Sequence, residues 1–231
     1  MRTLGLIGGL SWQSSIEYYR ILNELTAGKL GKHHSCPCIL YSLDLEPVLR
    51  HQQRDEWPAL TDMLVEAAGR LQRAGAGLVL ICANTMHKTA DAVEAKSGVP
   101  LLHIVDATAA ALGEAGVSRV GLLGTLYTME QDFYRERLQN KFAVETLTPA
   151  PEDRRFIHDV IHQELDYGIL NPDSRHRFLA IIDRLAGRGA GGVILGCTEI
   201  PLLLRDAEAA IPLFDTTRIH AQAGVSWVLG A

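Results

Sequence analysis

Cys197 sits where a thiol can work. It directly follows the apolar run GGVILG (191–196) and directly precedes TEIPLLL (198–204). Its sulfur is therefore expected at a strand-to-helix corner, where backbone N–H dipoles stabilise a thiolate, the address of a nucleophile or a base. Thr198 and Glu199 follow at once. A carboxylate beside a thiol cannot lower the thiol's pKa by charge, but it can accept the S–H proton as a relay. Free cysteines are often inert core fillers. The polar residues after Cys197 favour chemistry over packing.

A second corner has the same character. The run GLVLIC (77–82) ends in Ala83, Asn84, Thr85, Met86 and His87. An amide with hydroxyl neighbours can hold a carboxylate and stabilise an enolate-like intermediate. Asn84 and Thr85 are equally suited to capping a helix that starts near His87, and the two roles are compatible. His87 taken alone reads more readily as an ordinary packed histidine than as a reactive group.

These corners need elements to carry them. Short apolar runs bounded by Gly, Pro or Asp alternate with segments of helical period, the pattern of an α/β fold with mostly parallel sheets. Strands are expected near 2–7, 37–43, 77–82, 100–104, 119–123, 142–147, 191–196 and 212–214. Helices are expected over 14–29, 56–74, 87–96, 106–115, 128–140, 151–167 and 172–187.

The sequence also repeats itself. GLIGGLSWQSSIEYYR (5–20) matches GLLGTLYTMEQDFYRE (121–136) without a gap at an offset of 116 residues, pairing Gly5 with Gly121, Gly8 with Gly124 and Tyr18 with Tyr134. GAGLVLICANT (75–85) matches GAGGVILGCTE (189–199) at an offset of 114. Two blocks in one order at nearly one offset indicate two similar halves. The expected architecture is two pseudo-symmetric three-layer α/β domains, one formed by 1–100 plus 211–231 and the other by 101–210. An interdomain active-site cleft would be walled by GGLSW (8–12), ANTMH (83–87), GTLYT (124–128) and GCTEI (196–200). Ligands of open α/β sheets bind beyond the carboxyl ends of the strands, and N–H groups at helix starts suit a carboxylate.

The repeat also separates two neighbouring residues. It aligns Ala83, not Cys82, with Cys197. Successive side chains on a strand point to opposite faces. Cys82 is thus expected to pack in the core, unless an irregular corner lets it swing into the site.

Composition narrows the ligand. The chain has 231 residues, 47% of them hydrophobic, and a net charge of −5, enough for a substantial core. No basic block marks a nucleic-acid or anionic-membrane partner, so a small molecule is expected. No apolar run approaches the roughly 20 residues of a membrane span, and the N-terminal stretch lacks the regions of a signal peptide. A cytoplasmic location is expected, with the four cysteines at 36, 38, 82 and 197 kept reduced. GLIGG (5–9) lacks the G-x-G-x-x-G spacing of a dinucleotide loop. HHSCPC (33–38) crowds its thiols and imidazoles into one short stretch, unlike the separated ligand pairs of zinc sites.

Taken together, GLIGGLSWQSS (5–15), QRDEW (53–57), CANTMHK (82–88), HIVDAT (103–108), LLGTLYTMEQDFY (122–134), GCTEIPLL (196–203) and FDTTRIHA (214–221) resemble the aspartate/glutamate racemase family over essentially the whole chain. The closest resemblance is to enterobacterial-type aspartate/glutamate or broad-specificity amino-acid racemases. The resemblance implies a homodimer with no pyridoxal phosphate, metal or other cofactor. It also implies two cysteines on opposite faces of the substrate's α-carbon, one thiolate removing the proton and the other thiol returning one. By the same resemblance Asn84, Thr85, Thr125, Thr128 and Thr198 hold the α-carboxylate and amino group, Glu199 assists Cys197, and Ser11 and Gln52 line the pocket.

The chain departs from the family at the first cysteine, where it carries Ala83 with Cys82 one residue early. The second-half cysteine acts on the L-enantiomer in the family, so a one-sided racemase biased toward L-substrates is expected. The lysine that some aspartate-specific members place for the side-chain carboxylate is missing from IHQELDYGIL (161–170). Two alternatives stand beside this reading. One is a decarboxylase or cis–trans isomerase of the same superfamily with a single cysteine, and the other is an amino-acid-binding protein with a decayed site.

Overall fold

The apolar runs form two wholly parallel sheets in the computed structural model, which describes residues 1–205 and 209–230. The first unit comprises Met1–Ile104 and the chain from His220 onward. It contains β1 (Leu4–Gly8), α1 (Trp12–Leu30), β2 (Cys38–Ser42), α2 (Leu45–Gln53), α3 (Trp57–Arg73), β3 (Leu78–Ile81), a 3-10 turn over Thr85–Thr89 and α4 (Ala90–Ser97). Its strand order is β2-β1-β3. Alternation along the strands sends Ile7, Val79 and Ile81 to one face, with Leu60, Leu64 and Leu71 of α3. Leu4, Leu6 and Leu80 go to the other, with Tyr18 and Leu22 of α1. Helices on both faces make this unit three layers.

The second unit, Val105–Ile219, holds most of α5 (Ile104–Glu114), then β4 (Arg119–Gly124), α6 (Leu126–Glu130), α7 (Asp132–Phe142), β5 (Glu145–Leu147), α8 (Pro151–Gln163), a 3-10 turn over Leu165–Tyr167, α9 (Pro172–Gly187), β6 (Val193–Gly196), α10 (Ile200–Leu203) and β7 (Leu213–Asp215). Its strand order is β5-β4-β6-β7. The core beneath this sheet joins Leu123, Val193 and Leu195 to Ile157, Phe178, Ile181 and Leu185. The chain then enters α11 (Thr216–Leu229), which begins in this unit and ends in the first.

The repeat has a structural counterpart in the register. Gly5 pairs with Val79, and Gly121 pairs with Val193. A Cβ on Gly5 would come within 3.3 Å of Leu71 on α3, and one on Gly121 within 2.9 Å of Leu185 on α9. Leu71 and Leu185 are themselves 114 residues apart, the offset of the second repeat block. Both glycines let a helix approach the sheet more closely than any side chain would allow.

Several local expectations change. The strand at 100–104 shrinks to a single bridge from Leu101 to Val79, because Pro100 has no N–H to give and α5 begins at Ile104. The helix over 128–140 divides at Gln131, whose backbone is extended. Helices α2 and α11 fall outside the expected elements; Asp215 caps α11 by accepting from Thr217 N at 2.9 Å and Arg218 N at 3.1 Å. The second unit runs on to Ile219 instead of ending at 210, because β7 pairs with β6. Residues 206–208, within the expected 101–210 domain, and Ala231 lie outside the described residues. Among the described residues no helix is long and apolar enough to cross a membrane.

Candidate active site

In the second unit two strand ends lie side by side, since Gly124 of β4 pairs with Gly196 of β6. A Cβ on either glycine would meet the other strand's backbone oxygens below 3.0 Å and the Thr128 methyl at 3.2 Å. The glycine pair thus lets fully buried Thr128 sit over the strand ends. Thr125 caps α6, its hydroxyl accepting from Thr128 N at 3.3 Å and lying 3.3 Å from the Thr128 hydroxyl.

Cys197 follows immediately after β6. Its thiol is half-buried and donates to Glu199 Oε2 at 2.9 Å. The Thr198 hydroxyl donates to the same oxygen at 2.7 Å, and both Thr198 and Glu199 are buried. The thiol's pKa is raised well above its ordinary value, first by burial and then by the Glu199 charge and hydrogen bond. This corrects the expectation that helix N–H dipoles favour a thiolate: α10 is only four residues long, and the nearby carboxylate outweighs it. The resting group is a thiol with a proton acceptor already in place.

The same unit adds histidines that motif reading passed over. His158 Nδ1 accepts from Leu126 N at 3.4 Å, next to the Thr125 cap. Its ring meets that of His162 at 4.5 Å, and His162 Nδ1 lies 2.9 Å from Asp166 Oδ2. Burial and then His162 hold the His158 pKa below its ordinary value. The i, i+4 spacing of 158 and 162 on one helix face was the available signal.

In the first unit, β1 ends at Gly8 and the backbone turns through Gly9 at a φ of 72°, a left-handed conformation suited to glycine. The Gly9 N–H donates to Ser15 Oγ at 2.8 Å. Ser11 caps α1, accepting from Ser14 N at 3.2 Å, and donates to Gln13 Oε1 at 3.1 Å. Gln52, on α2, reaches Met86 Sδ at 3.3 Å from its Nε2. Asn84 is buried and makes no side-chain capping bond to the 3-10 turn that follows, whereas half-buried Thr85 opens that turn.

Cys82 and Ala83 diverge at the end of β3. Cys82 is wholly buried among Leu4, Leu6, Tyr18, Leu80 and Val225, where burial pushes its thiol pKa far up. Ala83 packs partly exposed against the cluster on the opposite face of the sheet. Of the HHSCPC residues, His33 and His34 are exposed and Cys36 is buried. Among the described residues no cluster of three or more His, Cys, Asp or Glu side chains is placed to hold a metal ion.

The two parallel sheets thus end in polar corners, and one of these corners pairs a thiol with a carboxylate. The sequence profile of the Asp/Glu/Hydantoin racemase family matches residues 7–224, and the chain belongs to that family. Among solved structures it is similar to a Yersinia pestis protein assigned to the Asp/Glu racemases, with 46% identity, coverage of 99% of this chain and 100% of that one, and a TM-score of 0.93. It is also similar to an aspartate racemase homologue from Pyrococcus horikoshii, at 33% identity, coverage of 99% and 100%, and a TM-score of 0.87. A glutamate racemase from Hydrogenobaculum sp. is 27% identical over 156 residues, which is 64% of this chain but only 55% of that enzyme.

Proposed function

We propose that the protein is a cofactor-independent amino-acid racemase acting on a small polar amino acid, with a bias toward the L-enantiomer. The observation that carries this reading is the Cys197 thiol donating to Glu199 at 2.9 Å beside the Thr125 cap. Glu199 takes the thiol proton, and the thiolate removes the substrate's α-proton. The electron pair left on carbon delocalises into the α-carboxylate, which Asn84, Thr85, Thr125, Thr128 and Thr198 hold together with the amino group. Ser11 and Gln52 line the pocket. A proton returned to the opposite face completes inversion. Ala83 offers no acid there, so water or a hydroxyl supplies it slowly.

A high thiol pKa suits this task. The thiolate of a weakly acidic thiol is a strong base once the proton has moved to Glu199, and positioned proton transfer contributes typically about 10²–10⁴-fold. Cytoplasmic reducing conditions fit four free cysteines. A homodimer belongs to the same reading, supported by Trp12, Ile16 and Tyr19, which form an exposed apolar stripe on α1; sedimentation velocity tests it.

The deciding experiment incubates the protein in heavy water with each enantiomer of a panel of amino acids, scoring α-deuteration and inversion separately. The reading expects L-substrates to gain deuterium faster than D-substrates. Release of CO2 from a dicarboxylic acid, without α-exchange of any amino acid, would assign the chain to single-cysteine decarboxylase chemistry. Amino-acid binding without exchange would leave a binding protein.

A further inference from the structure

A strand that leaves its sheet orphans its last carbonyls, and buried carbonyls need donors. At the end of β3 three in succession are taken up. The Cys82 carbonyl accepts from Ser14 Oγ at 2.6 Å. The Ala83 carbonyl accepts from His87 Nδ1 at 2.7 Å. The Asn84 carbonyl accepts from His87 N at 3.0 Å. His87 therefore fixes two of the three, one through its ring and one through its backbone. Because a carbonyl can only accept, the His87 proton resides on Nδ1.

His87 is itself held by buried neighbours within the first unit. Its ring centroid lies 4.8 Å from that of His103 and 5.5 Å from that of His220, the latter edge-on. His220 Nε2 donates to the Leu102 carbonyl at 2.9 Å. Burial, and then His87, push the His220 pKa down to about 3, so the ring is neutral and its Nδ1 accepts from the Tyr18 hydroxyl at 2.7 Å. Tyr18 and Ser14 are four residues apart on one face of α1. That helix grips the 82–84 turn at two places, directly through Ser14 and indirectly through Tyr18, His220 and His87. His87, His220, Tyr18 and Ser14 are all buried.

We infer that His87 is a positioning residue, which aims Asn84 and Thr85 at the substrate by fixing the Ala83 and Asn84 carbonyls. This inference rests on the racemase reading only for the identity of the ligand those residues hold. His87 touches no reacting atom. Its effect on turnover comes through geometry, where a displacement of about 1 Å can cost on the order of 10²-fold.

The test compares His87→Leu with His87→Asn. Leucine fills the space but cannot donate. Asparagine can donate to the carbonyl four residues back, as Asn23 Nδ2 already does to Tyr19 O at 2.7 Å in this chain. In His87→Leu, kcat/KM for α-deuteration should fall roughly 10²-fold, with both a higher KM and a lower kcat. Amide exchange over residues 83–87 should also quicken, while the rest of β3 keeps its protection. His87→Asn should recover most of the kinetics and the protection. The inference is overturned if His87→Leu keeps wild-type kinetics. It is equally overturned if both variants lose activity alike at equal urea midpoints. Wild-type protein that deuterates no amino acid would sink the racemase reading alone. In that case amide exchange over 83–87 decides for or against His87, unchanged exchange in His87→Leu counting against it.

Discussion

The Cys197 thiol and the Glu199 carboxylate share one hydrogen bond of 2.9 Å, and the oxygen involved also accepts from Thr198 at 2.7 Å. The carboxylate is thus held in line to receive the thiol proton, while burial and its own charge keep that proton on sulfur at rest. Replacing Cys197 by serine leaves a hydroxyl, a far weaker acid than a thiol. Cys197→Ser should abolish α-proton exchange with little change in the urea midpoint. Exchange surviving at about a tenth of wild type or more, against the roughly 10²–10⁴-fold expected of a positioned base, would show that another group removes the proton.

Cys82 gives the opposite expectation. It is wholly buried in an apolar cluster, and its N–H continues the ladder to Ile7 O at 2.9 Å. Cys82→Ala removes one buried sulfur and should cost about 1 kcal/mol of stability, measured by urea unfolding, while most deuteration persists. A folded variant without activity would make Cys82 a catalytic group.

How far these roles could be read in advance depends on how local their causes are. The displacement of Cys82 from Ala83 was legible because the repeat aligns Ala83 with Cys197 and strand alternation turns neighbouring side chains to opposite faces, and the structure packs the two residues in different clusters. Gly5 and Gly121 were legible as a pair because each admits an equivalent helix, at Leu71 and Leu185. The direction of the Cys197 pKa was not, because a strand-to-helix corner says nothing of how long the helix is or how deep the thiol lies. The Tyr18–His220 bond joins residues 202 apart in the chain, and no local pattern encodes it. Histidines 103 and 220 stood inside recognisable motifs, yet their function as packing for His87 exists only once α1 and α11 have met in the first unit.

His220 carries a pH signature. Its pKa is about 3 in the fold, down from an ordinary 6.5. Above 6.5 it is neutral in both folded and unfolded chains and the stability is intact. Below 6.5 the unfolded chain takes up a proton that the folded one refuses, so stability falls by about 1.4 kcal/mol per pH unit until the folded pKa is reached. Urea titrations at about pH 7, 6 and 5 should show this acid limb in the wild type and a shallower one in His220→Gln. Parallel limbs would mean that His220 titrates normally.

The remaining prediction asks the chain to regain what the repeat says it lacks. Ala83 aligns with Cys197 across the 114-residue offset, and it sits on the sheet face opposite the buried Cys82. Its carbonyl is fixed by His87 at 2.7 Å, so a side chain introduced there inherits a defined direction. Ala83→Cys should supply the missing acid/base partner and raise deuteration of D-substrates. Positioned proton transfer is worth typically about 10²–10⁴-fold, so even an imperfect geometry should give a measurable gain. The wild type should label L-substrates faster than D-substrates, and the variant should narrow that ratio from the D side without slowing the L side. Equal wild-type rates for both enantiomers, together with a folded Ala83→Cys that adds nothing to D-exchange, would remove the one-sided mechanism.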